Sequence, residues 1–203
     1  MRKIVQGPIR DKGKTKQRLL DAVGKILKTK GYSGLMVSKI AAVAGYDKKL
    51  IYEYFGSTDK LIDEYLKSKD YWNTADEETA NVDMKVHGNE LLKLALLSQY
   101  NDLRKNKELQ KLILWQLSEN RTEIKKLFEQ KEKSREALFL KSHQKSEEYR
   151  AIIAVLEAGI YHLSLCASTN GSHFCGIDTK SDDGRKKIEK AIINILDFAE
   201  EKL

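Results

Sequence analysis

The chain has 203 residues, of which 41% are hydrophobic and 33% charged, with a formal net charge of +7. That balance is too apolar for wholesale disorder and too charged for a membrane protein, and the length allows one large domain or a small module joined to a larger one. The single proline, Pro8, leaves residues 9–203 without a helix breaker, which few β-rich or loop-rich chains could manage, so an all-α fold is predicted.

The first sixteen residues carry charges but no apolar run of the kind a secretory signal needs, so a cytoplasmic location is expected. Charge is unevenly divided. Residues 1–70 hold 16 Lys and Arg against 8 Asp and Glu, whereas residues 71–203 hold 21 against 22. Within the basic part, residues 1–30 carry ten basic and two acidic side chains. Such asymmetry predicts a polyanion partner for the N-terminal part. Residues 1–13 read as a flexible basic arm, in which Arg2, Lys3, Arg10 and Lys12 could track phosphates; Lys14 and Lys16, just beyond it, are candidates for the same role.

Leu19, Leu20, Val23, Ile26 and Leu27 recur at helical spacing and predict a first helix from about Lys14 to Lys30, stopped by Gly31. Val37, Ile40, Ala41 and Ala44 form a short apolar stripe ending at Gly45, too brief to be stable without neighbours. Asp47 is a natural cap for a third helix whose inner face would be Ile51, Tyr54 and Phe55. After Gly56, Ser57 or Thr58 can cap a fourth helix carrying Leu61, Ile62, Tyr65 and Leu66, which closes a module over residues 14–72. Residues 73–90 are polar, acidic and aperiodic, as a connection would be. Four helical segments are predicted beyond it, at about 88–105, 107–118, 120–145 and 147–168. Ile152–Ser168 is the most apolar run, but Glu157 and His162 interrupt it and it is shorter than the roughly 20 residues of a membrane span, so it reads as a buried helix and no membrane partner is expected. Following a loop with Gly171 and Gly176, Ser181 or Asp182 can cap a last helix with Ile188, Ile192, Ile195, Leu196, Ala199 and Leu203 on one face.

The residues with most chemical content lie between Val37 and Phe55. Helix, glycine turn and helix form a helix-turn-helix pattern, with Ala41 small enough for close approach, Gly45 at the turn, and Ile40, Ala44 and Ile51 closing a shared core. The face left free carries Tyr46, Lys48, Lys49 and Tyr52, cations and aromatics suited to phosphates, guanine edges and thymine methyls. The plainer alternative is a tight helical hairpin with solvated lysines.

Over about fifty consecutive residues the sequence resembles the TetR/AcrR family of transcriptional regulators. The resemblance runs through Arg18-Leu19-Leu20-Asp21-Ala22, Lys30-Gly31-Tyr32, Val37-Ser38-Lys39-Ile40-Ala41, Ala44-Gly45, Ile51-Tyr52, Phe55 and Lys60-Leu61. It implies an N-terminal three-helix helix-turn-helix module followed by a larger helical ligand-binding and dimerisation domain, residues 73–203. It also implies that Lys48, Lys49 and Tyr52 lie in the major groove while Ser38, Lys39, Thr58 and Lys60 face phosphates. The sequence departs from the family pattern at Tyr46, Asp47 and Lys49, where a small aliphatic residue, serine and glycine are common, and at Leu35 and Met36, where threonine usually caps the second helix. Glu53 stands where the family is often aromatic; a carboxylate there repels phosphate unless it accepts from cytosine or pairs with a lysine.

The resemblance further implies a homodimer on a palindromic operator, the last two helices forming the seam through Ile152, Leu156, Gly159, Ile160 and Leu163 and through Ile188, Ile192, Ile195, Leu196 and Ala199; ordinary intrachain core is the alternative. Repression relieved by an unknown small-molecule effector follows from the same likeness, with Tyr100, Trp115, Gln116 and His143 as the candidate pocket residues. No cofactor is expected. His162, Cys166, His173 and Cys175 fall within fourteen residues but match no zinc spacing, so no metal is assigned and reduced thiols are expected. No phosphate loop, GxSxG or HExxH is present, which speaks against an enzyme. The rival reading is a helical interaction protein whose helix-turn-helix does not bind DNA.

Overall fold

A computed structural model describes residues 11–69, 88–141, 146–169 and 171–202. Arg2, Lys3 and Arg10 of the basic arm, most of the expected connection at 73–90, His143 and Leu203 lie outside them. The described residues divide after Lys69 into two compact units.

The first unit contains α1 (Lys12–Lys30), a 3₁₀ turn (Tyr32–Gly34), α2 (Val37–Ala44), α3 (Lys49–Phe55) and α4 (Thr58–Lys67). The first helix starts two residues earlier than its apolar stripe indicates, because the Asp11 side chain accepts from the Lys14 amide and caps it. Gly45 ends α2 at φ 73°, ψ 31°, a left-handed conformation in which its amide donates to the carbonyls of Ala41 and Ala42. This turn lets α3 leave at an angle instead of prolonging α2. Asp47 accepts from the Lys49 amide at 2.7 Å, and Ser57 caps α4 by accepting from the Lys60 amide. Leu19, Val23 and Leu27 of α1, Ile40 of α2, Ile51 of α3 and Leu61 and Leu66 of α4 are fully buried. Short as they are, α2 and α3 are held by α1 and α4, on which they respectively pack. Leu50 is the buried partner of Ile51 and Phe55, whereas Tyr54 is only half-buried.

Gly24 on α1 faces the Tyr65 ring of α4 so closely that an added Cβ would strike the Tyr65 hydroxyl. Overpacking of about 1–3 kcal/mol then outweighs the ~1 kcal/mol that alanine gains over glycine in a helix. Gly24→Ala therefore lowers the denaturant midpoint of the first unit, and a raised midpoint would contradict this packing.

The second unit comprises α5 (Gly88–Lys105), α6 (Lys107–Ser118), α7 (Thr122–Lys141), α8 (Glu147–Ser168), a two-residue antiparallel hairpin of β1 (His173–Phe174) and β2 (Ile177–Asp178), and α9 (Asp182–Lys202). The hairpin is the only departure from helix among the described elements and occupies the predicted glycine loop. Asn106, Ser146 and Ser181 cap α6, α8 and α9 by accepting from the amides of Leu109, Tyr149 and Gly184. The core gathers around α5, which packs on α6, α7, α8 and α9. It includes Leu96, Tyr100, Leu103, Ile113, Tyr149, Ile153, Ile160, Ile188, Ile192 and Leu196. Lys93 of α5 joins Asp197 and Glu200 of α9; burial opposes its charge, but hydrogen bonds to Asp197, Glu90 and Glu200 hold the ammonium above its usual range. By length and composition α8 could cross a membrane, yet one side of it, from Tyr149 through Ile153, Glu157, Ile160 and Ser164, is buried in this core.

Candidate nucleic-acid interface and cavity

Around the Gly45 turn, the free faces of α2 and α3 form one exposed surface. Ser38 and Lys39 open α2, Lys48 and Lys49 open α3, and Tyr52, half exposed at 50%, stands one turn from Lys48. Tyr46 is half-buried with the Arg18 guanidinium 5.9 Å from its ring centre, so α1 steadies the turn from behind. Thr58 and Lys60 sit at the start of α4, Lys60 exposed and Thr58 half-buried. Lys14 is exposed and pairs loosely with Asp11 at 3.6 Å. Lys16 is held within the unit: its ammonium lies 4.9 Å from the Phe55 ring centre and 3.9 Å from Glu64. Such exposed pairings are worth under about 1 kcal/mol, so a phosphate can replace them. Met36 and Val43, neither of them a sequence-predicted contact, add exposed apolar area on α2; the only sequence signal for them was an apolar residue off the Ile40–Ala44 stripe.

In the second unit a cavity of about 1000 Å³ opens between the end of α6, α7 and α8. Ile124, Phe128, Ala154 and Ala158 give it apolar wall, and Arg135, Glu157 and Tyr161 give it polar floor. Glu157, only 4% exposed, accepts hydrogen bonds from Gln99 and Tyr161, both at 2.9 Å, and forms ion pairs with Lys131 and Arg135. Lys131 also contacts the Tyr161 hydroxyl. One carboxylate thus accepts from both the Arg135 guanidinium and the Lys131 amine. Burial first, and the Arg135 charge second, push the Lys131 ammonium down to about 6, while burial raises the Tyr161 hydroxyl to about 12.

Of the pocket candidates, Gln116 lines this cavity. Tyr100 and Trp115 are buried in side-chain packing, Tyr100 taking a hydrogen bond from Arg104 and Trp115 donating to Glu119, and neither lines this cavity. The Glu157 cluster escaped the sequence reading, although cations at 131 and 135 and polar groups at 157 and 161 repeat at helical spacing inside otherwise apolar or amphipathic segments.

The seam residues also separate. Ile160, Ile188, Ile192, Leu196 and Ala199, expected in the seam, are at most 7% exposed and pack within the chain's own core. Ile152, Leu156 and Leu163 are half-buried against the same core, Gly159 is half-buried, and Ile195 is exposed. The free side of α8 instead carries Ala151, Val155, Ala158 and His162, and that of α9 carries Ala191, Ile195 and Phe198. Val155 and Phe198, at 73% and 62% exposure, are large apolar side chains left in solvent. His162 Nε2 lies 3.3 Å from Cys166 Sγ and its ring stacks edge-on against Phe174, while Cys175 sits exposed at the hairpin tip; both thiols are free. Among the described residues no group of three or more His, Cys, Asp or Glu is arranged to hold a metal.

Residues 19–65 match the family model described as bacterial regulatory proteins, tetR family. Solved structures extend the likeness beyond that segment. A TetR-like transcriptional regulator from Rhodococcus sp. RHA1 is 16% identical over 93% of this chain and 97% of its own, with a TM-score of 0.62. The fatty acid degradation regulator FadR from Bacillus halodurans is 16% identical over 94% and 97%, TM-score 0.63. NalD from Pseudomonas aeruginosa, the secondary repressor of the MexAB-OprM multidrug efflux pump, is 19% identical over 91% and 96%, TM-score 0.56. No curated protein matches the sequence. The first unit is therefore a helix-turn-helix domain of the kind that binds DNA in bacterial regulators. Residues 19–65 carry the tetR-family resemblance, and the chain as a whole has the fold of the TetR-like regulators it matches.

Proposed function

We propose that this chain is a sequence-specific DNA-binding transcriptional repressor that acts as a homodimer in the cytoplasm and leaves its operator when a small molecule binds. The observation that carries the reading is the surface around Gly45, where Ser38, Lys39, Lys48, Lys49 and Tyr52 stand exposed together on two helices whose other sides are core. Lys48, Lys49 and Tyr52 supply groove contacts, and Ser38, Lys39, Thr58, Lys60, Lys14 and Lys16 supply phosphate contacts that fix register. Residues 1–13 act as a basic arm, 14–72 as the DNA-binding domain and 73–203 as the effector and dimer domain.

One helix-turn-helix reads few base pairs, so two copies bind half-sites spaced about 34–36 Å per helical turn. The free apolar sides of α8 and α9 are the surface that a second copy covers. Phe198→Asp places a charge there without touching the core, and it reduces the mass measured by light scattering from that of two chains to the 23.3 kDa of one. A dimer mass unchanged in this variant would refute the seam.

The cavity among α6, α7 and α8 has a volume at the upper end of the roughly 300–1000 Å³ of ligand sites and combines apolar wall with convergent polar groups, which supports an effector role. Effector binding there favours a dimer whose recognition helices no longer match successive major grooves. Selection of duplexes from a random pool by the purified protein tests the DNA reading. Enrichment of a palindrome is expected; a pool that stays random would overturn it in favour of a helical interaction protein.

A further inference from the structure

Glu53 lies in the second turn of α3, beside Tyr52 and one turn after Lys49, on the face that the helix-turn-helix leaves exposed. It makes no hydrogen bond or ion pair with any described residue. A lysine four residues earlier is the less favourable order for a helical ion pair, since a glutamate preceding a lysine is the better one. Opposite it, Ala41, Ala42 and Gly45 line a shallow surface groove together with Tyr46, Lys49 and Glu53, and their small size leaves the carboxylate uncovered. The other carboxylate of this segment, Asp47, is occupied by the Lys49 amide. Glu53 is thus an unpaired acceptor-only group on a surface whose exposed neighbours are cations and a tyrosine.

We infer that Glu53 reads a base, accepting a hydrogen bond from the N4 amine of a cytosine in the major groove, so that each half-site carries a cytosine at one defined position. This rests on the reading of the chain as a DNA-binding regulator. Facing a phosphate, the carboxylate would repel it. In the major groove, guanine O6 and N7 and thymine O4 repel it too, and adenine sets the N7 acceptor beside its N6 donor, whereas cytosine presents the N4 amine donor alone. The residue therefore discriminates against bases without contributing to non-specific affinity, the role left open by the lysines around it.

Random-duplex selection with the wild-type protein, Glu53→Ala and Glu53→Gln tests this, with far-ultraviolet circular dichroism to verify that the exposed substitutions leave the fold intact. The wild type enriches a cytosine at one position per half-site, and replacing that cytosine in the selected duplex weakens its binding roughly 10- to 100-fold. Glu53→Ala loses the preference at that position alone, and Glu53→Gln moves it towards adenine, whose N6 and N7 match an amide. Uniformly tighter binding of Glu53→Ala to every duplex with an unchanged base profile would overturn the inference in favour of simple phosphate repulsion. An unchanged profile and affinity would overturn it by placing Glu53 away from the DNA. A wild-type pool without enrichment overturns the DNA reading itself, and this inference with it.

Discussion

Glu157→Leu lowers the unfolding free energy of the second unit by about 3–5 kcal/mol, the effect expected when one partner of a buried charge cluster is removed. The carboxylate accepts from Lys131, Arg135, Gln99 and Tyr161 at once. Without it, Arg135 keeps Glu132, which is two-thirds exposed, and the Tyr161 hydroxyl, and Lys131 keeps the Tyr161 hydroxyl among its neighbours. Leucine restores volume but no acceptor, and buried donors without acceptors cost far more than the lost bonds return. Urea unfolding followed through the buried Trp115 gives the check: with a slope of about 1–3 kcal/mol/M, the midpoint falls by one to several molar. Pairing the substitution with Arg135→Met recovers part of the loss, because the double variant strands one cation fewer. A midpoint unmoved by Glu157→Leu would contradict the cluster.

Lys49→Ala has the largest expected effect on binding. Its side chain is exposed on the first turn of α3 while its amide is tied to Asp47, so the helix start stays in place when the side chain is shortened. Each lost base or phosphate contact costs about 1–3 kcal/mol, and a dimer loses two, so operator affinity falls at least tenfold and by 100-fold or more if both contacts are to bases. The salt dependence separates the two kinds of contact. A lost phosphate contact flattens the slope of log affinity against log salt and weakens all duplexes alike, whereas a lost guanine contact relaxes preference at one position. Tyr52→Ala is the parallel variant, exposed one turn further along α3. Equal operator affinity of Lys49→Ala and wild type would remove Lys49 from the interface.

Most of the first unit was legible in the sequence because its signals are local. The Leu19 to Leu27 stripe, the Gly45 turn, Asp47 and Ser57 each act within one helical turn of themselves, and the helix-turn-helix follows from their order. Asp11 was missed as the start of α1 because no apolar residue follows it until Leu19. The second unit's helices were legible for the same reason, since Asn106, Ser146 and Ser181 cap at the predicted boundaries. What periodicity could not do was choose between the two sides of α8 and α9. Both helices are apolar on more than one side, so Ile160 and Ile192, read as seam, fill the core, while Val155 and Phe198 remain outside. Which side is covered depends on where α5 lies, and that is tertiary information. The cavity was illegible for a related reason: Tyr100 and Trp115 have the chemistry of a pocket wall, yet Arg104 and Glu119, each four residues away, satisfy their polar atoms in the core. Glu157 needed partners from α5, α7 and α8 to become visible.

A chain that recognises a duplex sequence through the exposed faces of α2 and α3 must prefer one duplex over others of equal length and charge. Titrating the wild-type protein against its selected duplex and a scrambled duplex of equal length and composition, at about 150 mM salt, tests this most directly. The expected result is a preference of at least about a thousandfold for the selected duplex, since specific and non-specific affinities of regulators differ by 10³ or more. Equal affinity for the two duplexes, lost together as salt rises, would contradict sequence recognition and reduce the interaction to the basic N-terminal charge alone.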